Sequence, residues 1–139
     1  MNLKGYLFRG CVGINEVCFG ENVTDIPDCE FFSGCTGLSN VKIGKNVTYI
    51  GERAFRGCTS LTSVVIPANV SGIGMEAFLG CTKLTSVKFE NIENWTTTVY
   101  CYTSSDSGWE TISVYPSATD FAANATMLKS TYTYPWSRQ

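Results

Sequence analysis

Few side chains in this sequence are suited to chemistry, and the most informative residue type is one that it lacks. The 139 residues contain no histidine, which excludes Ser-His-Asp and Cys-His catalysis and any histidine-based metal site. Acidic pairs such as Glu90 and Glu93 are typical of solvated surface charge rather than of general acid–base catalysis. The glycines do not follow the Gly-x-Gly-x-x-Gly spacing of a phosphate-binding loop. We therefore predict that the chain is not an enzyme and has no catalytic residue, metal site or cofactor.

Seven cysteines are the remaining candidates for reactive groups. Four of them occupy one recurring position in the chain, and none forms a Cys-x-x-Cys pair: Cys11, Cys35, Cys58 and Cys81. We predict a column of reduced, buried thiols that pack as small apolar groups. Disulfides between stacked repeats are the alternative, because repeats about 5 Å apart lie within the range that a disulfide spans, although parallel side chains give it a poor torsion. Three cysteines outside the column are candidates for an exposed reactive thiol: Cys18, Cys29 and Cys101.

The charge and hydropathy of the chain exclude two further classes of protein. The net charge of −2 comes from ten basic and twelve acidic residues, which are scattered and form no basic patch for nucleic acid. No apolar run approaches the roughly 18 residues of a membrane span. The first five residues lack the basic and apolar blocks of a signal peptide. We predict one domain with no nucleic-acid partner and no membrane insertion, which is cytosolic as it stands or is a fragment or mature form without its signal.

A phrase built on Phe, Gly, Cys and Leu recurs every 23 or 24 residues. It spans residues 32–38, 55–61 and 78–84, and a looser copy opens the chain at residues 8–11. A fixed period of this length indicates stacked structural repeats. A single repeat cannot bury its own apolar edge, so stacking must supply the core.

Each repeat is predicted to contain a short strand, a turn, a second extended piece and a tight helical turn. Val64 and Ile66 alternate as in a strand with one buried face, while Gly57 and Gly80 allow the chain to turn back into the next strand. The first repeat carries one extra residue between Ile26 and Phe32. Because the strand register is kept, we expect this residue to bulge outward on the convex side.

The spacing Leu-x-x-Val-x-Ile, followed by Val-x-x-Ile-Gly-x-x-Ala-Phe-x-Gly-Cys, resembles the BspA-like branch of the leucine-rich repeats, the treponemal 23-residue type. The likeness covers about residues 8–89 and departs from the pattern at Leu7 and Phe31, where alanine is usual. It implies an α/β leucine-rich-repeat solenoid, mainly β with short helical turns, that is the C-terminal portion of a longer protein or a short family member. It also implies a secreted or cell-surface bacterial protein that binds a protein partner, such as a host extracellular-matrix or surface protein.

Side chains between the buried strand positions are predicted to lie on the concave face of this solenoid. Solenoids use such faces for binding, and a solvated sheet face is the alternative. The predicted binding residues are Glu16, Asn40, Lys42, Ser63, Val65, Ser86 and Lys88, with Cys18 in the same two columns.

The composition changes after Phe89. We predict repeats over residues 1–89 and a hairpin-and-helix C-terminal cap over 90–139, as parts of one domain. Within the cap we expect strands at 95–103 and 109–115, a turn at 104–108, a helix of about ten residues, and an extended segment at 132–136. Ser117 is the predicted N-cap, with Asp120 at the third helical position.

The aromatic residues of this C-terminal segment support an alternative function. Trp95 or Trp109, if exposed, is a stacking platform of the kind that a carbohydrate-binding module uses. Burial of these aromatics would favour the protein-interaction module instead.

Overall fold

The computed structural model describes residues 6–93, 95–102, 109–114, 116–129 and 136–138. Within these ranges the fold consists mostly of strands with one short helix. The elements are β1 (Glu16–Cys18), β2 (Asp25–Ile26), β3 (Asn40–Lys42), β4 (Tyr49–Ile50), β5 (Ser63–Ile66), β6 (Gly72–Ile73), β7 (Ser86–Phe89), β8 (Trp95–Tyr102), β9 (Trp109–Val114), α1 (Phe121–Leu128) and β10 (Trp136–Arg138). The predicted turn at 104–108 and most of the 132–136 segment lie outside the described residues.

The repeats pair in parallel, one strand above the next. Glu16 in β1 lies opposite Asn40 in β3, and Ser63 in β5 lies opposite Ser86 in β7. The second extended pieces form a parallel row β2-β4-β6. The pairings join equivalent positions of successive repeats, so the predicted repeat register is confirmed.

The core runs through the repeats as columns of identical residue types. Leu38, Leu61 and Leu84 are fully buried at equivalent positions. The rings of Phe32 and Phe55 stack with centroids 5.7 Å apart, and Phe78 continues the stack at 5.3 Å from Phe55. Each repeat therefore gains most of its buried apolar surface from its neighbours, as a repeat architecture requires.

The predicted helical turn before each buried Phe is wrong. The chain there makes successive tight turns, and Arg53 and Glu76 have φ angles of 55° and 57°, which a right-handed helix does not allow. The backbone N–H of Arg53 instead donates to the Met75 carbonyl at 3.0 Å, and that of Phe55 to the Ala77 carbonyl at 2.8 Å. Hydrogen bonds between repeats thus alternate with turn bonds along the chain, such as the one from the Ala54 N–H to the Gly51 carbonyl at 3.2 Å.

The extra residue of the first repeat is accommodated in a local bulge. Cys29 is exposed with a φ of 70°, while Ile26 stays paired with Ile50 and the N–H of Phe32 donates to the Ala54 carbonyl at 2.8 Å. The register on both sides is kept, as predicted, and the added residue projects outward.

The C-terminal segment forms the two expected strands and a pairing that was not expected. Strands β8 and β9 pair antiparallel. Strand β10 lies between β6 and β8 and pairs antiparallel with both. This strand joins the second row of repeat strands to the β8–β9 pair in one sheet, β2-β4-β6-β10-β8-β9.

The helix begins later than predicted. Its N-cap is Asp120, whose Oδ1 accepts from the backbone N–H of Ala123 at 2.9 Å, and it has eight residues rather than about ten. Ser117 Oγ accepts from the Asp120 N–H at 2.9 Å, so Ser117 holds the turn that precedes the helix. Helix α1 packs against β7. The division into repeats at 1–89 and a cap at 90–139 stays a prediction.

Gly74 provides a test of how closely neighbouring repeats approach. A Cβ at this position would lie 2.7 Å from Glu52 Cα and 2.7 Å from the Gly51 carbonyl carbon, and backbone atoms cannot rotate away. We expect Gly74→Ala to lower the free energy of unfolding in urea by about 1–3 kcal/mol, the usual range for overpacking.

Gly13→Ala is the matched control, because in the described part of the chain nothing lies within 4 Å of a Cβ added there. The control should leave the free energy of unfolding within about 0.5 kcal/mol of the parent. Equal effects of the two substitutions would contradict the close approach of repeats at Gly74.

Candidate functional site

All the predicted binding residues lie on one surface. One valine in each of β1, β3, β5 and β7 points inward, and the residues on either side of it point outward. The inward residues are Val17, Val41, Val64 and Val87. We call the outward surface the strand face. All its members are exposed except Ser86, which is half-buried: Glu16, Cys18, Asn40, Lys42, Ser63, Val65, Ser86 and Lys88.

A groove of about 700 Å³ lies along the strand face. Six of the outward residues line it: Glu16, Cys18, Asn40, Lys42, Ser63 and Val65. Ser86 and Lys88 are on the adjacent β7, outside the groove lining. Val41, Ile43 and Val64 also belong to the groove lining, although their side chains are almost fully buried. The exposed apolar side chain of the lining is that of Val65.

The sheet is interrupted beneath this groove. Strands β3 and β5 lie side by side, but in the described part of the chain β3 pairs with β1 and β5 pairs with β7, with no ladder between β3 and β5. The alternation of residues does not predict this interruption.

Three carboxylates around the groove are held by donors of the protein. Glu16 Oε1 accepts from Asn40 Nδ2 at 2.8 Å, Glu21 Oε1 pairs with Lys45 Nζ at 2.9 Å, and Glu90 Oε2 accepts from the Ala68 N–H at 3.1 Å. The two lysines of the strand face are different. Within the described ranges, Lys42 and Lys88 have no ion-pair partner.

Four residues that line the groove were not predicted from the sequence. Glu21, Lys45, Pro67 and Glu90 follow the strands and line the groove, but strand alternation does not extend to them. A signal was present for one pair, since Glu21 and Lys45 stand 24 residues apart, which is the spacing between Glu16 and Asn40.

The cysteine column is reduced and buried over three of its four members. Cys35, Cys58 and Cys81 are buried free thiols, and Cys11 is half-buried and free. Each buried Sγ donates to a carbonyl of the preceding repeat, as in Cys58 to Phe32 O at 3.3 Å. Burial raises the pKa of the Cys35 and Cys58 thiols and raises the pKa of Cys81 to about 12.

The thiols should divide by reactivity. In a Cys101→Ser background at pH 8, we expect Cys18 and Cys29 to react rapidly with a thiol reagent because both are exposed. The three buried column thiols should react only after unfolding in urea, because they are shielded and stay protonated. Mass spectrometry of labelled peptides identifies the positions. Rapid labelling of Cys58 in the folded protein would contradict this assignment.

The raised pKa values also predict a loss of stability in alkali. A thiol whose pKa is higher in the folded state stabilises the fold fully below its unfolded pKa, and this contribution is lost as pH rises through the folded value. For Cys81 the window runs from about 9 to about 12.

Trp95 does not provide a carbohydrate platform. Its side chain is only 2% exposed and its ring meets that of Phe89 edge-on, with centroids 5.3 Å apart and an interplanar angle of 70°. The alternative in which Trp95 is an exposed stacking platform is therefore wrong. The side chain of Trp109 lies outside what the structure describes.

The described residues lack two further kinds of feature. They contain no helix that is long and apolar enough to cross a membrane. They also bring together no group of three or more cysteine, aspartate or glutamate side chains that could hold a metal ion.

Comparison with known proteins returns one family. Residues 1–126 match the family model described as BspA type leucine rich repeat region, in six copies. No curated protein matches the chain at a significant level.

Two solved structures resemble the chain. A leucine-rich repeat protein from Bacteroides ovatus is 41% identical with a TM-score of 0.57, and the match covers 61% of this chain and 21% of that protein. A leucine rich cell surface protein from Faecalibacterium prausnitzii is 35% identical with a TM-score of 0.59, over 70% of this chain and 26% of that protein. The chain therefore spans about a quarter or less of the length of either relative.

Proposed function

Because the chain belongs to the BspA-type leucine-rich repeat family, we propose that it is a non-enzymatic module that binds another protein through the strand face. Leucine-rich repeats generally serve protein interactions, and nothing in the sequence points to catalysis. The observation that carries the proposal is Val65, which lies at the groove with 45% of its surface exposed. An exposed apolar side chain with charged neighbours is how the centre of a recognition patch is built.

The proposal extends to where the module works. One of the similar structures is that of a leucine rich cell surface protein, which supports secretion or surface display of this bacterial-type repeat protein. In this proposal the repeats stack as a solenoid, the strand face is its concave side, and residues 90–139 cap its end. We further propose an adhesin role, with a host extracellular-matrix or surface protein as the partner, as the family resemblance implies.

A purely solvated strand face is the competing interpretation, and the groove argues against it. A solvated face needs only polar outward residues, whereas the strand face exposes the apolar side chain of Val65 at the groove. Apolar surface in a groove with a charged margin favours a partner that covers it.

Val65→Asp is expected to weaken binding at least tenfold against any member of a panel of immobilised extracellular-matrix proteins that binds the parent chain. The added carboxylate would be buried without a partner in the interface, which raises the dissociation rate. Stability should barely change because the position is exposed. Surface plasmon resonance measures the binding, and urea denaturation verifies the fold.

Val12→Asp is the matched control, because Val12 is also an exposed valine, at 64%, and lies outside the groove lining. It should bind as the parent does. If both variants bind as the parent does, or if no matrix protein binds the parent, the proposed function fails. A glycan array with the parent chain tests the carbohydrate alternative.

A further inference from the structure

The strands of the strand face are not bonded to one another equally. We propose that this face contains a joint between β3 and β5, about which the repeats on either side move, so that the groove widens and narrows. The inference goes beyond the proposed function, because it concerns the motion of the repeats themselves and its tests need no partner.

The strands on either side of the joint are each bonded to an outer neighbour. Strand β3 pairs with β1, and the N–H groups of Ser39 and Asn40 both donate to the Asn15 carbonyl, at 2.9 and 3.2 Å. Strand β5 pairs with β7, and the two equivalent N–H groups of the last repeat donate to the Thr62 carbonyl, at 3.0 and 3.3 Å. Each pair of strands therefore separates only when these hydrogen bonds break.

The matching hydrogen bonds are missing between β3 and β5. Here the equivalent donors are the N–H groups of Thr62 and Ser63, and the equivalent acceptor is the Ser39 carbonyl. Within the described ranges neither donor bonds to this carbonyl, and no ladder joins the two strands. Separation of β3 from β5 thus breaks none of the bonds that hold the neighbouring pairs.

The opposite side of the same two repeats is bonded without interruption. The N–H of Phe55 donates to the Ala77 carbonyl at 2.8 Å, and that of Ser71 donates to the Thr48 carbonyl at 2.8 Å. Strands β4 and β6 pair in parallel, and the rings of Phe55 and Phe78 stack with centroids 5.3 Å apart. The two repeats are therefore fixed along one side and unbonded along the strand face, which is the arrangement of a hinge.

The groove lies across this joint. Its lining includes Lys42 from β3 and Val65 from β5, so movement at the joint changes its width. Ladder hydrogen bonds hold neighbouring strands about 4.8 Å apart, and between β3 and β5 this restraint is absent. Regions with fewer such bonds open at the lowest free-energy cost. The strand face thus consists of two rigid pairs of strands whose spacing can change.

Hydrogen exchange measured by NMR on the unmodified protein tests the missing bonds. After correction for intrinsic rates, we expect the N–H groups of Thr62 and Ser63 to exchange at least tenfold faster than those of Thr85 and Ser86. Burial does not account for such a difference, because three of these residues are exposed and Ser86 is half-buried. Equal exchange rates would mean that bonds form between β3 and β5 in solution, and would overturn the inference.

Spin labels in one column of the strand face test the motion. Lys42→Cys with Val65→Cys places two labels across the joint. Val65→Cys with Lys88→Cys is the matched control across β5–β7, where the two residues are directly opposite. All three positions are exposed, and circular dichroism verifies the fold. The background removes the cysteines other than the three buried ones of the column: Cys11→Ala, Cys18→Ser, Cys29→Ser and Cys101→Ser.

Continuous-wave electron paramagnetic resonance of frozen samples gives the distribution of distances between the two labels. We expect the distribution across the joint to be at least twice as broad as that across β5–β7. Equal widths, whether centred on the same distance or on a longer one across β3–β5, would show a fixed spacing and contradict the joint. A fixed strand face could still bind a matrix protein through Val65, so failure here and failure of the proposed function are distinguishable.

Discussion

Leu61→Ala is expected to lower the free energy of unfolding by about 2–5 kcal/mol, the range measured for truncation of a buried leucine. Leu61 is fully buried and lies at the same position as Leu38 and Leu84 in the neighbouring repeats. Removing its side chain leaves a cavity between repeats that are already held in register by backbone hydrogen bonds, so the structure cannot collapse around it. Equilibrium urea denaturation followed by circular dichroism measures the change.

Leu7→Ala is the control for this prediction, since Leu7 is the same residue type with 62% of its surface exposed. Its free energy of unfolding should stay within about 0.5 kcal/mol of the parent. A loss below about 1 kcal/mol for Leu61→Ala would mean that the leucine column does not form the interior that the repeat register requires.

The repeat register could be predicted from the sequence because the same residue types recur at a fixed spacing. Identical residue types at a spacing of 23 or 24 must lie above one another once the strands pair in parallel. This reasoning placed Leu38, Leu61 and Leu84 in the core and Cys29 outside it. It needs no knowledge of side-chain conformation.

The turns before Phe55 and Phe78 show where local reasoning ends. Short stretches such as Glu52 to Phe55 have adequate helix propensity, but the N–H groups of Arg53 and Phe55 donate to the next repeat instead of along the chain. Propensity is a weak prior that tertiary hydrogen bonds override. The left-handed φ of Arg53 and Glu76 follows from that outcome.

The sequence also did not predict which distant segments of the chain pair with each other. Strand β10 was expected to be extended, but its place between β6 and β8 depends on segments that do not neighbour it in sequence. The sequence leaves both packing and exposure open for Trp95, because nothing in the pattern shows which face of the sheet a tryptophan at the start of a strand occupies. Its contact with Phe89 decides that it is buried.

The alternation of residues in β1, β3, β5 and β7 predicted the strand face. It did not predict the groove. Alternation assigns Lys42 and Val65 outward without reference to other strands. The groove is also lined by residues of the connections, such as Glu21 and Glu90, and in the described part of the chain no ladder joins β3 and β5 beside it. These features arise only when the repeats are assembled.

Asn124 joins the C-terminal segment to the last repeat strand, and no repeat pattern marks it. Its side chain is fully buried. Nδ2 donates to Val87 O in β7 at 3.0 Å and to Ser117 O at 2.8 Å, while Oδ1 accepts from the Ser117 N–H at 2.7 Å. The Val87 carbonyl belongs to the last repeat strand. Asn124 thus supplies that strand with a donor that a further repeat would otherwise provide.

We expect Asn124→Ala to lower the free energy of unfolding by about 3 kcal/mol, because it leaves three backbone groups without their partner in a buried site and each such loss costs about 1–3 kcal/mol. Thr126→Ala is the control on the same helix, since its exposed hydroxyl bonds only to Ala122 O at 3.0 Å within the helix, and it should change stability by less than about 1 kcal/mol.

Urea unfolding is followed by tryptophan fluorescence, which reports on the C-terminal segment, and by circular dichroism, which reports on the whole chain. If residues 90–139 and the repeats form one domain, the two transitions shift together in Asn124→Ala. A shift confined to the fluorescence transition would instead show that residues 90–139 unfold separately from the repeats.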